Sequence, residues 1–480
     1  MPLLRCREHH RIRVWAVALI AVLTVPSLAS GSRPNVVIIL ADDHCYRDFG
    51  FLGNSLVHTP NIDRLASQSA CYPNGYVPMS VCRPSLATIL TGLYPHQHGI
   101  HFNHPPPGLS IMRRTMTAAE YQAARATTDR LIRRVPTLPR ILARHGYACL
   151  QTGKHWEGDY QTSGFTHGMT RNRPADRVGP VTGTRLQENG EPVAHGNGDA
   201  GLIIGRETMQ PIYDFVDTVS PQQPFLIWYA PFLPHTPFDA PQQFRDLYRD
   251  TEIAPHLLPY YAEIARFDAT VGDLMQFLRR RELDESTIVI FASDNGFRPD
   301  EQNHDRHNKQ SKLSAHEDGL RTPILIRWTG QIEAGRHDQL VSTVDLVPTI
   351  LSAVGLPSEI TPRMQGISLL PSAMGEQSLP ERPAFGAIYP NDAKVLDDPG
   401  LHVRCRWVRS GDYKLLIPGP AKPAIARALY NLRSDPEQRH NLIDDAASQV
   451  HVAALTTLAD DWWTGAASQN CNAATSSDEQ

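Results

Sequence analysis

Asn35-Val36-Val37-Ile38-Ile39-Leu40 is an unbroken apolar, β-branched run that stops at Ala41-Asp42-Asp43. A run without polar alternation predicts a strand buried on both faces, as in a parallel sheet covered by helices on each side. Residues 224–230 repeat the pattern and open into a Pro-rich loop holding His235; residues 286–292 repeat it again and end in Ser293-Asp294-Asn295-Gly296. Between these two runs, Ile264, Phe267, Val271, Leu274, Phe277 and Leu278 recur at helical spacing, which predicts an amphipathic helix over 261–280. Strands alternating with helices predict a doubly wound, mostly parallel α/β sheet with helices on both faces. In such sheets chemistry gathers beyond the carboxyl ends of the strands, where Asp42, Asp43, His235, Asp294 and Asn295 fall.

Residues 105–134 and the polar, Gly-rich stretch 171–205 lack periodicity and read as loops or insertions over the sheet, placed to shape substrate choice. After the apolar stretch 344–351 the chain passes through Gly355-Leu356-Pro357 into a region rich in Pro and turns. There, 403–408 and 413–417 are short alternating stretches around Ser410-Gly411-Asp412, the pattern of a hairpin. A smaller α+β subdomain with a short antiparallel sheet is therefore expected over 356–480, following a main domain over 30–355.

The first residues differ from the rest. Arg5, Arg7, Arg11 and Arg13 precede the apolar run 14–25, and Pro26-Ser27-Leu28-Ala29-Ser30 follows. That order is the pattern of a secretory signal peptide over 1–29, cut after Ala29, and it implies an exported protein, periplasmic or secreted. The alternative is an uncleaved anchor, but the run is short for a stable membrane span.

Composition narrows the class further. With 480 residues, 41% of them hydrophobic, the chain can bury a large core, and a net charge of −4 gives nucleic acid no basic surface to bind. Removal of Cys6 with the signal leaves Cys45, Cys71, Cys82, Cys149, Cys405 and Cys471, with no C-x-x-C pair and no zinc spacing. Export is compatible with one or two disulfides among them.

Adjacent carboxylates at a strand end repel one another unless a cation or a proton lies between them. Asp42-Asp43 therefore suggests a metal, to which Asp294-Asn295 would add two oxygen ligands; four hard oxygens favour Ca²⁺ or Mg²⁺ over zinc. The competing reading makes Asp42 and Asp43 caps of a following helix. Cys82 begins a stretch with the pattern of a turn into a helix, where free backbone N–H groups and the helix dipole suit a nucleophile or an anionic substrate.

Cys82-Arg83-Pro84-Ser85-Leu86-Ala87-Thr88-Ile89-Leu90-Thr91-Gly92 resembles the type I sulfatase signature C-x-P-S-R-x-x-x-L-T-G, with Leu86 standing where that family has Arg. Further segments resemble the same family in the same order: residues 33–43, 59–66, Leu93-Tyr94-Pro95-His96 directly after the signature, Pro234-His235-Thr236-Pro237, Ser293-Asp294-Asn295-Gly296, 317–323 and 429–437. The resemblance implies an alkaline-phosphatase-like fold and oxidation of Cys82 to formylglycine by a formylglycine-generating enzyme. It also implies a cation, Ca²⁺ or alternatively Mg²⁺, held by Asp42, Asp43, Asp294 and Asn295 and touching the residue at Cys82. The hydrated aldehyde would attack sulfur, the alcohol would leave, and sulfate would be expelled as the aldehyde re-forms.

By the same resemblance Lys154, His235 and Lys312 contact the sulfate, Lys312 also the leaving oxygen. Read by itself, Lys312 could equally be a solvated surface Lys and His235 a structural loop His. Gly153-Lys154-His155-Trp156 matches a G-K-W-H pattern at Lys154, but Trp156 holds the usual His position and His155 is displaced by one; a small shift of the loop would bring His155 into the site, where the resemblance implies a catalytic His near the formylglycine. The resulting expectation is a hydrolase of sulfate esters or N-sulfo groups on a sulfated carbohydrate or aryl substrate. Two alternatives remain: a phosphonate or phosphodiester hydrolase on the same fold, and a catalytically silent protein that binds sulfated glycans.

Overall fold

The computed structural model describes residues 33–170, 184–186, 192–194 and 203–470. The expected signal peptide 1–29, most of 171–205 and Cys471 lie outside them.

The three apolar runs are adjacent central strands. β1 (Asn35–Ala41), β2 (Ala70–Tyr76), β3 (Ala148–Gly153), β4 (His167–Gly168), β5 (Phe225–Ala230), β6 (Thr287–Ser293), β7 (Arg321–Trp328), β8 (Gly335–Arg336) and β9 (Val341–Ser342) make one sheet in the order β8-β2-β7-β6-β1-β5-β3-β4, with β9 also on β2. Every pairing is parallel except the two made by β7, against β2 and β6. β1 is flanked in register by β5, Val36 opposite Leu226, and by β6, Asn35 opposite Thr287 through Ala41 opposite Ser293.

Successive β1 side chains enter different cores because strand side chains alternate faces. Val36, Ile38 and Leu40 pack with Leu86, Ile89 and Leu90 of α2 (Cys82–Thr91) and with Val347 and Ile350 of α4 (Leu346–Ala353). Val37, Ile39 and Ala41 pack with Ile62 and Leu65 of α1 (Pro60–Ser67) and with Phe267, Val271 and Leu274 of α3 (Leu258–Arg280). Each such large side chain contributes about 1.5–3 kcal/mol by leaving water. The sheet ends that carry Asp42, Asp43, Asp294 and Asn295 are thereby held rigidly side by side.

A second, four-stranded antiparallel sheet follows: β10 (Ala384–Ile388), β11 (Cys405–Ser410), β12 (Tyr413–Pro418) and β13 (Ala428–Asn431) in sequential order. The expected hairpin is β11–β12, with Ser410 opposite Tyr413 across a two-residue turn in which Gly411 takes φ 55°. That left-handed value suits glycine. α5 (Gln449–Asn470) lays Val452, Leu455 and Ala459 on Val408, Leu415 and Leu429 of this sheet.

Residues 105–134 are not loops. They form helices Leu109–Thr115, Ala118–Ala126 and Asp129–Arg133. Thr117 and Glu120 exchange side-chain-to-backbone hydrogen bonds that cap the second of these. Helices this short do not complete enough turns for an apolar face to recur. Cys45, Cys71, Cys82, Cys149 and Cys405 are buried free thiols, and no described helix is long and apolar enough to cross a membrane.

Candidate active site

Asp42 and Asp43 leave β1 where its pairing with β6 ends, and Asp43 adopts φ 66°, a left-handed value that Asp tolerates better than most residues. Asp294 Oδ1 accepts from the Asp43 N–H at 3.0 Å and from the Asn295 N–H at 2.7 Å, and Asn295 Nδ2 donates to Asp43 Oδ1 at 2.6 Å. Gly296 permits this tight strand exit, since a Cβ there would sit 1.9 Å from the Asp318 carbonyl oxygen. Asp42 and Asp43 thus cap no helix; their carboxylates converge with Asp294 and Asn295 from two neighbouring strands.

Two lysines close the cluster. Lys154 follows β3 and donates to both Asp42 oxygens at 2.6 and 2.7 Å; Lys312 donates to both Asp43 oxygens at 2.8 Å. With 12% of its side chain exposed, Lys312 is not a solvated surface residue. His235 Nε2 lies 3.3 Å from Asp43 Oδ2, while its Nδ1 shares a 2.7 Å hydrogen bond with the Thr236 carbonyl. Cys82 is the first residue of α2, with Sγ 4.0 Å from Asp42 Oδ1. One ligand atom from each of Asp42, Asp43, Cys82 and His235 lies within 4.8 Å of all the others.

The electrostatics of the cluster favour an added cation. Three carboxylates face two ammonium groups. Burial raises Asp42 well above the usual carboxylate range, Lys154 opposes this, and Asp294 and Asp43 add to it. Asp294 is raised by burial as well. Burial acts most strongly and would lower Lys312, but Asp43, Cys82 and Asp42 together outweigh it and hold the ammonium above its ordinary range. Asp294 Oδ2 and Asn295 Oδ1 are buried with no hydrogen-bond partner among the described residues. Orphaned buried oxygens are costly unless an ion satisfies them, and hard oxygens of this kind fit Ca²⁺ or Mg²⁺.

The thiol itself is a poor nucleophile here. Burial pushes Cys82 up to about 12 despite Lys154 and Lys312 pulling the other way, so the sulfur stays protonated near neutrality.

The two departures from the motif have clear surroundings. Leu86 lies in the hydrophobic core beneath α2. Arg83, fully buried, places Nε and Nη2 each 2.6 Å from a Glu157 carboxylate oxygen and Nη2 2.8 Å from Thr128 Oγ1, while its Nη1 has no hydrogen-bond partner among the described residues. Its charge is balanced there, so it is no simple replacement for the missing motif Arg. His155 directs Nε2 to Ser163 Oγ at 2.9 Å, and burial lowers it to about 4. Trp156 stands beside Lys154 instead, with Nζ 5.8 Å from its ring centroid.

Sequence reasoning missed Arg206 and His307. Arg206 donates from Nη2 to the His235 carbonyl at 2.7 Å and from Nε to the Phe232 carbonyl at 2.9 Å, fixing the loop that carries His235. His307 lies near enough for the charges of Lys312 and Asp43 to act on its titration, which burial lowers. Neither sits in a recognisable pattern; Arg206 lies at the end of an aperiodic stretch.

The family model for sulfatases matches residues 34–356, and one for the C-terminal region of N-sulphoglucosamine sulphohydrolase matches 306–461. The chain belongs to the sulfatase family. As a sulfatase it is a sulfuric ester hydrolase. It is 28% identical to N-acetylgalactosamine-6-sulfatase of Mus musculus, over 75% of this chain and 70% of that one. It is also 28% identical to arylsulfatase A of Homo sapiens, over 88% and 85% of the two chains. A solved structure of a protein in complex with its substrate D-glucosamine-2-N,6-O-disulfate superposes with a TM-score of 0.68 at 19% identity, covering 92% of this sulfatase and 100% of that chain. The mostly parallel sheet with its appended antiparallel sheet is the fold expected from the sequence.

Proposed function

We propose that this sulfatase hydrolyses sulfate esters or N-sulfo groups of a sulfated carbohydrate through a formylglycine made from Cys82. In this reading Asp42, Asp43, Asp294 and Asn295 hold a Ca²⁺ ion, with Mg²⁺ as the alternative. The observation that carries it is the set of buried, under-satisfied oxygens converging beside Cys82 at a helix N-terminus. The carbohydrate preference draws on the relatives named for N-acetylgalactosamine-6-sulfate and N-sulphoglucosamine. The hydrated formylglycine supplies the attacking oxygen, and the cation supplies charge neutralisation at the sulfate.

The chain's own residues do the rest. Lys154 and His235 bind sulfate oxygens from two sides, and Lys312 stabilises charge on the leaving oxygen. All three are buried or nearly so, where fixed charges act far more strongly than in water. His155 supports the loop of Lys154 through Ser163. The chain is exported after loss of 1–29, with 30–355 as the catalytic domain and 356–480 as the C-terminal subdomain.

The test is expression with a formylglycine-generating enzyme, followed by intact mass and peptide mapping across Cys82 and by assay on an aryl sulfate and a phosphodiester at equal concentration. Conversion of Cys82 with preferred sulfate hydrolysis is expected. Unmodified Cys82, no hydrolysis and retained binding of sulfated glycan would overturn it in favour of a binding protein; preferred phosphodiester turnover would reassign the substrate. Leu86→Arg, on the same samples, separates a defect in modification from one in turnover per modified site.

A further inference from the structure

Trp156 is 4% exposed, and its indole Nε1–H is buried with no acceptor among the described residues. Three other indoles find backbone acceptors. Trp228, Trp328 and Trp407 donate to the carbonyls of Lys154, Glu285 and Pro78 at 3.3, 3.0 and 3.2 Å. Trp462 also lacks an acceptor, but it is enclosed by the rings of Tyr94, His96, Phe385 and Trp463, away from the charge cluster.

Charge surrounds Trp156. Arg125 Cζ lies 4.9 Å and Lys154 Nζ 5.8 Å from its ring centroid, and the His104 ring meets it edge-on at 6.0 Å. A cation against an aromatic ring draws electron density from it, which makes the N–H a stronger donor. A buried, unused donor on a ring with two cations against it suits an anionic oxygen. Lys154 ties the position to the site, because the same ammonium holds both oxygens of Asp42.

We propose that Trp156 is a substrate-binding residue whose indole N–H donates to an oxygen of the bound sulfate on the Lys154 side of the site. This rests on the reading of the site given above. An indole donates a hydrogen bond but takes up no proton near neutral pH, so Trp156 binds the anion and performs no acid–base step.

Inorganic sulfate is the probe, and titration calorimetry on the Ca²⁺-loaded protein is the readout, which does not depend on turnover. Trp156→Phe keeps the ring and removes the donor; its sulfate Kd should rise about 10- to 100-fold, the range for a hydrogen bond to a charged group. Trp156→His restores an N–H donor and should recover part of the loss, a rescue that a purely packing role would not produce. Lys154→Ala separates the inference from the site on which it rests. Sulfate affinity lost in Lys154→Ala but unchanged in Trp156→Phe overturns the role of Trp156 alone. Affinity unchanged in both, or no sulfate binding by the wild type, overturns the reading of the site together with the inference. Thermal melting of each variant identifies a folding defect, in which case Trp156→His decides.

Discussion

Lys312 and Glu317 stand five positions apart, yet each belongs to a different kind of buried charge cluster. At Glu317 every acceptor is used: Oε1 takes Lys414 Nζ at 2.7 Å, Oε2 takes the Tyr76 hydroxyl at 2.5 Å, and Arg409 bonds that hydroxyl in turn. Tyr76 belongs to β2 and Lys414 to β12, so this cluster joins the large sheet to the small one. Burial alone would raise Glu317, but Lys414, Arg409 and Arg321 hold it down at about 2. Around Lys312 the balance is reversed, with three carboxylates for two ammonium groups and orphaned oxygens on Asp294 and Asn295. A satisfied cluster rigidifies a junction, whereas an under-satisfied one retains capacity for a ligand.

The comparison breaks most directly at the cation. Asp42→Ala combined with Asp294→Ala should abolish bound divalent cation, measured by metal analysis of the purified protein; wild-type occupancy in the double variant would show that the orphaned oxygens serve something else. Next in size is Lys414→Ala, which takes the ammonium from Glu317 Oε1 and leaves that buried oxygen without its donor, while Tyr76 and Arg409 remain on Oε2. Urea unfolding should register a loss of about 3–5 kcal/mol. Lys312→Ala should do the opposite, lowering turnover about 10²- to 10³-fold while costing the Ca²⁺-loaded protein less stability than Lys414→Ala does. Near-normal turnover would remove Lys312 from the reacting centre.

The smallest effect at neutral pH is the acid limb. Glu317 is depressed from 4.5 to about 2, so its contribution to stability is complete above pH 4.5 and fades as pH falls through about 2. Melting temperatures measured across that window should show a smaller pH dependence for Glu317→Gln than for the wild type. Equal slopes would mean that folding does not depress the Glu317 carboxyl.

Much of this was legible in the chain. The runs before Asp42, His235 and Asp294 became central strands, the 261–280 periodicity became α3, and the stretches around Gly411 became a hairpin. The short helices in 109–133 were not legible, because each is too short for an apolar face to recur; the one over Ala118–Ala126 is marked instead by a capping box. The departures from the motif could be seen but not interpreted. Arg83 stands three positions before Leu86, and only the fold shows that Glu157, 74 residues away, holds it. Lys312 carries two readings in the sequence, a sulfate contact by resemblance and a solvated surface Lys by itself, and the surface reading fails once Asp43, 269 residues away, is found beside it.

The sequence by itself therefore determined the strands, the helix faces and the placing of acidic residues at strand ends, since apolar periodicity and strand termination are local properties of the chain. Which charges pair, which are left over, and which indole faces the charge cluster were decided by tertiary structure alone. The physical reason is that burial sets both the strength of an ion pair and the cost of an orphan, and burial at each of these positions is supplied by segments far away in sequence.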